Sequence, residues 1–459
     1  MFTITLTVLL VLAALGYALM RGRAAHALIR DGVRLHSLPG YHGAYVAFWT
    51  GLPALVLALI WVAAQAPVVD RLILSTLPDA MVHDAASGQL DLYLSTIKTV
   101  AAGRIFGSPD PALLEAGARY ARWGIIAEWA MLVAATSLAL IALAVTRRRF
   151  APAFRARQGV ERIVTGIMIF CSLVAILTTI GIVLSLLFEA LRFFARVPWY
   201  EFFFGLNWEP QIPLRADQVA GHGAFGAVPV FAGTLLVALI AMLVAGPIGL
   251  LCAIYLAEYS NPRFRATVKP ILELLAGIPT VVYGFFAVLT VAPALREFGA
   301  LLGLDIAPNS AFAAGAVMGI MIIPFISSLS DDAISAVPRA MREGSYALGA
   351  TQAETIVSVL LPAALPGIVG GFLLAVSRAI GETMIVVMAA GLIATLTANP
   401  FEAVTTVTVQ IVTLLIGDTE FDSPKTLAAF ALGLVLFATT LCLNVVALRI
   451  VQKYREKYE

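Results

Sequence analysis

Arg378 and Glu382 stand four residues apart in an apolar run, within the sequence SRAIGETM. On a helix that spacing puts both side chains on one face. A guanidinium is a planar, permanently charged donor suited to an oxyanion, and a carboxylate one turn away can hold it between binding events. With a helix starting near Pro366, Arg378 lies about 18 Å along it at ~1.5 Å per residue, near the middle of a ~30 Å hydrocarbon core. A charge at that depth costs at least ~2.5–3.5 kcal/mol unless it is paired or wetted. Two readings follow from the residues: a solute path, or a structural ion pair that fixes helix packing. Thr280, Tyr283 and Thr383 are further candidates to line such a path, and Glu273 reads as structural near an inner membrane interface.

A polar stretch, 331–363, precedes this run. Pro338 presets the first turn of a helix, PRAMREGSYAL. Gly349 breaks it, Thr351 and Glu354 form a T-x-x-E capping box that opens a second helix, and Pro362 ends that one. Helix, glycine turn and helix make a hairpin that can present a rigid surface to another protein. Patterning alone also allows an ordinary loop of amphipathic helices.

The elements that must position these groups are membrane spans. The chain has 459 residues, 60% hydrophobic and 13% charged, where a soluble domain has about 25% charged. Apolar runs of about 20 residues recur. They fall near 2–20, 44–65, 123–145, 163–189, 227–258, 270–293, 310–328, 364–394 and 425–450. The sequence therefore predicts an all-α polytopic membrane protein of about nine transmembrane helices. Arg21, Arg23, Arg30 and Arg34 follow the first span, and Arg147, Arg148, Arg149, Arg155, Arg157 and Arg162 follow the third. By the positive-inside bias these loops face the cytoplasm, the N-terminus lies outside and the C-terminus inside. The Arg-rich loop is read as a topology anchor, with a lipid or regulator site as the minor alternative. It separates an N-terminal three-span region, 1–160, with an external loop at 66–122, from a six-span region, 161–459. Trp199, Tyr200 and Trp208 suit an outer membrane–water interface.

Cys171, Cys252 and Cys442 each sit in an apolar run and read as small core residues. The sequence contains no HExxH, no Cys/His cluster and no GxxxxGK[ST] phosphate loop. An ATP-driven role therefore requires another chain to bind the nucleotide. Nothing in the charge pattern points to nucleic acid.

Glu343-Gly344-Ser345, then Gly349, then Val359-Leu360-Leu361-Pro362 resembles the EAA loop of ABC importer permeases, with two small residues in place of the alanines. FGAVPVFAGTLLVALIAMLVAGPIGL, LELLAGIPTVVYG, ALGATQAETIVSVLLPAALPGIVGG and SRAIGETM are similar to blocks of the phosphate permeases of the Pst system. GETM favours the PstC type over its PstA-type partner. The resemblance covers roughly 195–450 and leaves the three N-terminal spans outside the usual six-span pattern.

The resemblance implies a type I importer core with a coupling hairpin, 331–363, in which Glu343, Gly344, Gly349 and Pro362 mark the docking segment for an ATPase. It implies that Arg378 and Glu382 belong to the substrate path. The implied partners are a PstA-like second permease, a PstB-like cytoplasmic ATPase dimer, a PstS-like external phosphate-binding protein and the lipid of the cytoplasmic (inner) membrane. No cofactor is expected on this chain, and it is expected not to be an enzyme, since ATP is used by the partner. The alternatives are a permease for sulfate or molybdate, a membrane scaffold or sensor that recruits a cytoplasmic partner, and a secondary transporter.

Overall fold

The computed structural model describes residues 1–29, 35–78, 89–104, 110–211, 223–416 and 422–454. Arg30, Arg34 and the stretches 79–88 and 105–109 of the expected external loop lie outside the described residues. Among the described residues nine helices are long and apolar enough to cross a membrane. Two compact units divide the chain, Met1–Leu177 and Thr178–Glu459. The sequence reading put the junction at the Arg-rich loop near 160. The contact-based division falls inside one uninterrupted helix, Ala156–Phe194.

The first unit contains α1 (Phe2–Ile29), α2 (Pro39–Leu74), α3 (Gln89–Ala101), α4 (Pro111–Arg148) and the first half of α5 (Ala156–Phe194). Its central core uses small residues one turn apart, Ala54 and Ala58 on α2 and Ala135 and Ala139 on α4, with Leu9 and Met131 filling the space between. Small side chains let helix backbones approach closely where lipid supplies no hydrophobic drive. The described part of the expected external loop at 66–122 is largely helix. The helices outrun their apolar windows because Val69, Ile73, Leu113 and Ala116 bury against Ile97 of α3. Asp70 fixes this cap, accepting from Lys98 at 2.8 Å and from the Tyr120 hydroxyl at 3.1 Å. At the Arg-rich end His42 packs against Phe150 and Phe154, and the Ser37 hydroxyl accepts from the backbone N–H of Arg157.

The second unit takes α5 from Thr178 onward, then the short α6 (Trp199–Phe204) and a two-residue antiparallel pairing of Trp208–Glu209 (β1) with Ala224–Phe225 (β2). There follow α7 (Val228–Ile254) with a π-helical turn at Tyr255–Tyr259, α8 (Pro262–Ala276) and α9 (Thr280–Phe286) with a second π turn at Ala287–Val291. Next come α10 (Ala292–Leu301), α11 (Ala311–Ser335), α12 (Arg339–Ala347) and α13 (Gln352–Thr355), the last followed by a third π turn at Ile356–Leu360. The chain ends with α14 (Leu361–Gly381), α15 (Met384–Ala389), α16 (Val407–Leu415) and α17 (Pro424–Tyr454). Helices α7 and α11 form the centre. A Cβ added at Gly315 would lie 2.7 Å from Ile240 Cβ, and one at Gly319 would lie 2.8 Å from Val244 Cβ, so the close crossing requires both glycines.

Four expectations are corrected here. The span expected at 270–293 is two elements: α8 is an exposed amphipathic helix, and the span begins at Thr280 after the Gly277–Pro279 break. Glu273 therefore lies on α8, outside the span. Trp208 is not an interface anchor; it is buried, and its indole N–H donates to Gln410 Oε1 at 2.9 Å. Pro362 does not end a helix, since α13, the π turn and α14 run on as one span, Gln352–Gly381. The widened turn, closed by the Leu361 N–H on the Ile356 carbonyl, leads the helix into the proline. Finally, the span expected at 364–394 stops at Gly381.

Candidate functional site

The hairpin is built from local signals. Pro338 caps α12, Gly349 takes φ +88° at the turn, and Thr351 and Glu354 form the capping box with both reciprocal bonds present. The Ser345 and Thr355 hydroxyls meet at 2.9 Å and tie the two arms together. The arms are anchored to the ends of α7 and α11. Arg342 donates to the Ile334 carbonyl at 2.9 Å and lies 2.9 Å from the Glu258 carboxylate, and Gln352 donates to the Glu258 carbonyl at 2.7 Å. Ile334, Val337, Ile356 and Leu360 bury beneath them. The outward surface stays open: Glu343, Gly344 and Gly349 are exposed, Tyr346 is 43% exposed and Leu348 is 91% exposed. A leucine held at a fixed turn with nearly all its surface open would gain about 1.5–3 kcal/mol from any surface that buried it. Pro362 stands apart from this group, ten residues into the span that begins at Gln352.

A second set of charges braces the same end. Asp331 on α11 is buried, and Arg265 and Lys269 of α8 converge on it at 2.7–2.9 Å. Lys269 also reaches Asp332 at 3.3 Å. Hydrogen bonding to Asp331 holds the Lys269 ammonium above its ordinary pKa. Since α8 buries no side chain of its own, these ion pairs are its main polar attachment.

Arg378 and Glu382 do not share a helix face. Helix α14 ends at Gly381, and Glu382 is extended, at φ −69° and ψ 133°. Arg378 is exposed, with its guanidinium carbon 5.9 Å from the centre of the Phe325 ring on α11, and among the described residues no carboxylate pairs with it. Glu382 turns the other way. Its Oε1 accepts from the backbone N–H of Met384 at 3.1 Å and of Ile385 at 3.5 Å, capping α15. Its carbonyl accepts from the Thr408 hydroxyl at 2.8 Å. The helix break thus separates two groups that a continuous helix would have paired.

Thr408 and Gln410 belong to a buried polar cluster that sequence reasoning missed. Gln410 accepts from Trp208 and donates to the Leu392 carbonyl at 2.9 Å and to Thr405 Oγ1 at 3.1 Å. The Val407 N–H donates to Thr234 Oγ1 at 3.0 Å. A Cβ at Gly233 would lie 2.2 Å from the Thr405 carbonyl oxygen, so Gly233 lets the extended segment before α16 lie against α7. The available signal was the density of Thr and Gln at 405–410 inside an otherwise apolar stretch.

Residues 6–178 match the family described as phosphate ATP-binding cassette transporter, and residues 245–456 match that described as binding-protein-dependent transport system inner membrane component. A probable ABC transporter permease protein of Bacillus subtilis is 34% identical over 58% of this chain and 82% of the relative. Phosphate transport system permease proteins PstC of Xylella fastidiosa and Mycobacterium tuberculosis are 31% and 32% identical, over 55% and 56% of this chain and 80% and 83% of theirs. The fold and these matches define a multi-pass inner-membrane permease of the ABC importer class. Within that class the chain belongs to the phosphate transport system permease family.

Proposed function

We propose that this chain is the permease subunit through which an ATP-driven importer moves inorganic phosphate across the cytoplasmic membrane, with its N-terminus outside and its C-terminus inside. It works beside a second, PstA-like permease. A PstB-like ATPase dimer docks on the hairpin through Glu343, Gly344, Tyr346, Leu348 and Gly349, and a PstS-like protein delivers phosphate from outside. The chain binds no cofactor of its own, and ATP is hydrolysed by the partner. The region 1–160 is an accessory module of the same assembly, a reading supported by the phosphate-transporter family match over 6–178.

Arg378 carries the reading. It is an arginine in an apolar helix, exposed on this chain and paired with no acid among the described residues. A permanent cation in that setting favours an anion or a wet path. Glu382, one of whose oxygens caps α15, stands beside the path and disfavours tight trapping of the anion. The test is ATP-driven uptake of labelled phosphate into proteoliposomes holding the complete complex, with wild type beside Arg378→Ala. Loss of one or two charge-assisted bonds, about 1.5–3 kcal/mol each, lowers uptake roughly 10- to 100-fold or more. Full uptake by an assembled Arg378→Ala complex refutes the path through Arg378. Uptake of sulfate or molybdate in place of phosphate reassigns the substrate.

A further inference from the structure

We infer that Thr408 is a positioning residue for Glu382, holding the break in α14 so that the carboxylate stays off the helix face of Arg378. The inference rests on the reading of Glu382 as a path-side group. Three contacts define the conformation of Glu382. Its N–H donates to the Ala379 carbonyl at 3.3 Å, its Oε1 caps α15, and its carbonyl takes the Thr408 hydroxyl at 2.8 Å. The first two are local and a neighbouring conformation can replace them. The third crosses 26 residues of sequence and is made by a side chain that is only 8% exposed. A carbonyl at a helix end has no intrahelical partner, and burial without one is costly. Thr408 supplies that partner only when Glu382 is extended, as it is here.

Thr408 is itself placed from two sides. Its hydroxyl lies 3.1 Å from that of Thr406, and the Val407 N–H beside it is pinned to Thr234 of α7. Two residues on, Gln410 links the same turn to Trp208 and to the Leu392 carbonyl. The first turn of α16 is therefore a fixed support, and Thr408 is its contact with the break. Without that contact α14 can continue by one residue, which returns Glu382 toward the i, i+4 position and lets it neutralise Arg378.

The test compares Thr408→Val, Thr408→Ser, Glu382→Gln and the double variant Glu382→Gln/Thr408→Val in the complete reconstituted complex. Initial phosphate uptake is read against the concentration of phosphate-loaded binding protein, with ATP hydrolysis measured in parallel. Thr408→Val is expected to lower maximal uptake about tenfold, the scale of one hydrogen bond to a part-buried carbonyl. The half-saturating concentration of binding protein should stay unchanged, and the ATP used per phosphate should rise. Thr408→Ser restores uptake, and the double variant matches Glu382→Gln alone because both changes act through one group. If the Val variant fails to assemble, Thr408→Cys, a weak donor of similar size, should fall between Ser and Val. Normal uptake by Thr408→Val beside an impaired Glu382→Gln overturns the inference and leaves the path reading intact, as do losses that multiply in the double variant. Normal uptake by Glu382→Gln overturns both.

Discussion

Replacing Asp331 by Asn should loosen α8 without unfolding the protein. Asp331 receives three charge-assisted contacts from Arg265 and Lys269 at 2.7–2.9 Å, and its side chain is only 2% exposed. Such bonds contribute about 1.5–3 kcal/mol each. Two facts discount the sum: the cationic partners are 33% and 29% exposed and can turn to water, and Asp332 remains beside Lys269. A net loss of about 2 kcal/mol follows, or a roughly 30-fold rise in local opening. Hydrogen exchange of amides in Pro262–Ala276 in reconstituted protein reads this directly, with α7 as internal control. The pH dependence has a definite sign. Lys269 has its folded pKa raised by Asp331, so its contribution is complete below the unfolded value and is lost only as pH rises through the folded one. Protection of α8, corrected for intrinsic exchange, should be flat from about pH 6 to 9 and fall in stronger alkali, given an ordinary lysine value of ~10.4. Unchanged exchange in Asp331→Asn, or protection that already declines between about pH 6 and 8, refutes the ion-pair account.

Two further outcomes test the hairpin. Leu348→Ser removes an anchor that is 91% exposed on this chain, so the fold is untouched while affinity for the ATPase falls about 10- to 100-fold in a direct binding measurement; equal affinity would exclude Leu348 from the interface. Gly349→Ala meets no neighbouring atom within 4 Å, so its cost is the backbone strain of φ +88° alone, about 1–2 kcal/mol. Limited proteolysis at the turn should speed up, Gly349→Asn should recover part of the loss, and an Ala variant as resistant as wild type would mean the turn relaxes without strain.

The parts of this protein legible in its sequence are those set by neighbouring residues or by solvent. Among the described residues the nine apolar windows correspond to nine helices long and apolar enough to span, and the capping box at Thr351–Glu354 forms as written because both partners lie within one turn. The misread parts are set at a distance. Trp208 looks like an interface aromatic until Gln410, 202 residues away, accepts its N–H. The break at Glu382 has no proline to announce it; it depends on the Thr408 hydroxyl. The block containing Gly233 and Thr234 could be recognised as a family feature, but its physical reason appears only when the Thr405 carbonyl is seen against the missing Cβ. What joins the local and the distant features is the single span Gln352–Gly381, 30 residues and about 45 Å long. Its first turn is the hairpin's capped arm, and its last residue precedes Glu382. A helix of that length carries displacement from one end to the other as a rigid body unless it bends. The places where this one can bend, the π turn at Ile356–Leu360, the prolines at 362 and 366 and the Gly370–Gly371 pair, all precede Arg378. Beyond Gly371 no proline, glycine pair or π turn occurs before Gly381, so the last ten residues of the helix form one stiff segment. Arg378 lies on that straight portion and moves with it. Glu382 is held by Thr408 of α16, so the two charged groups are attached to different helices on either side of the break.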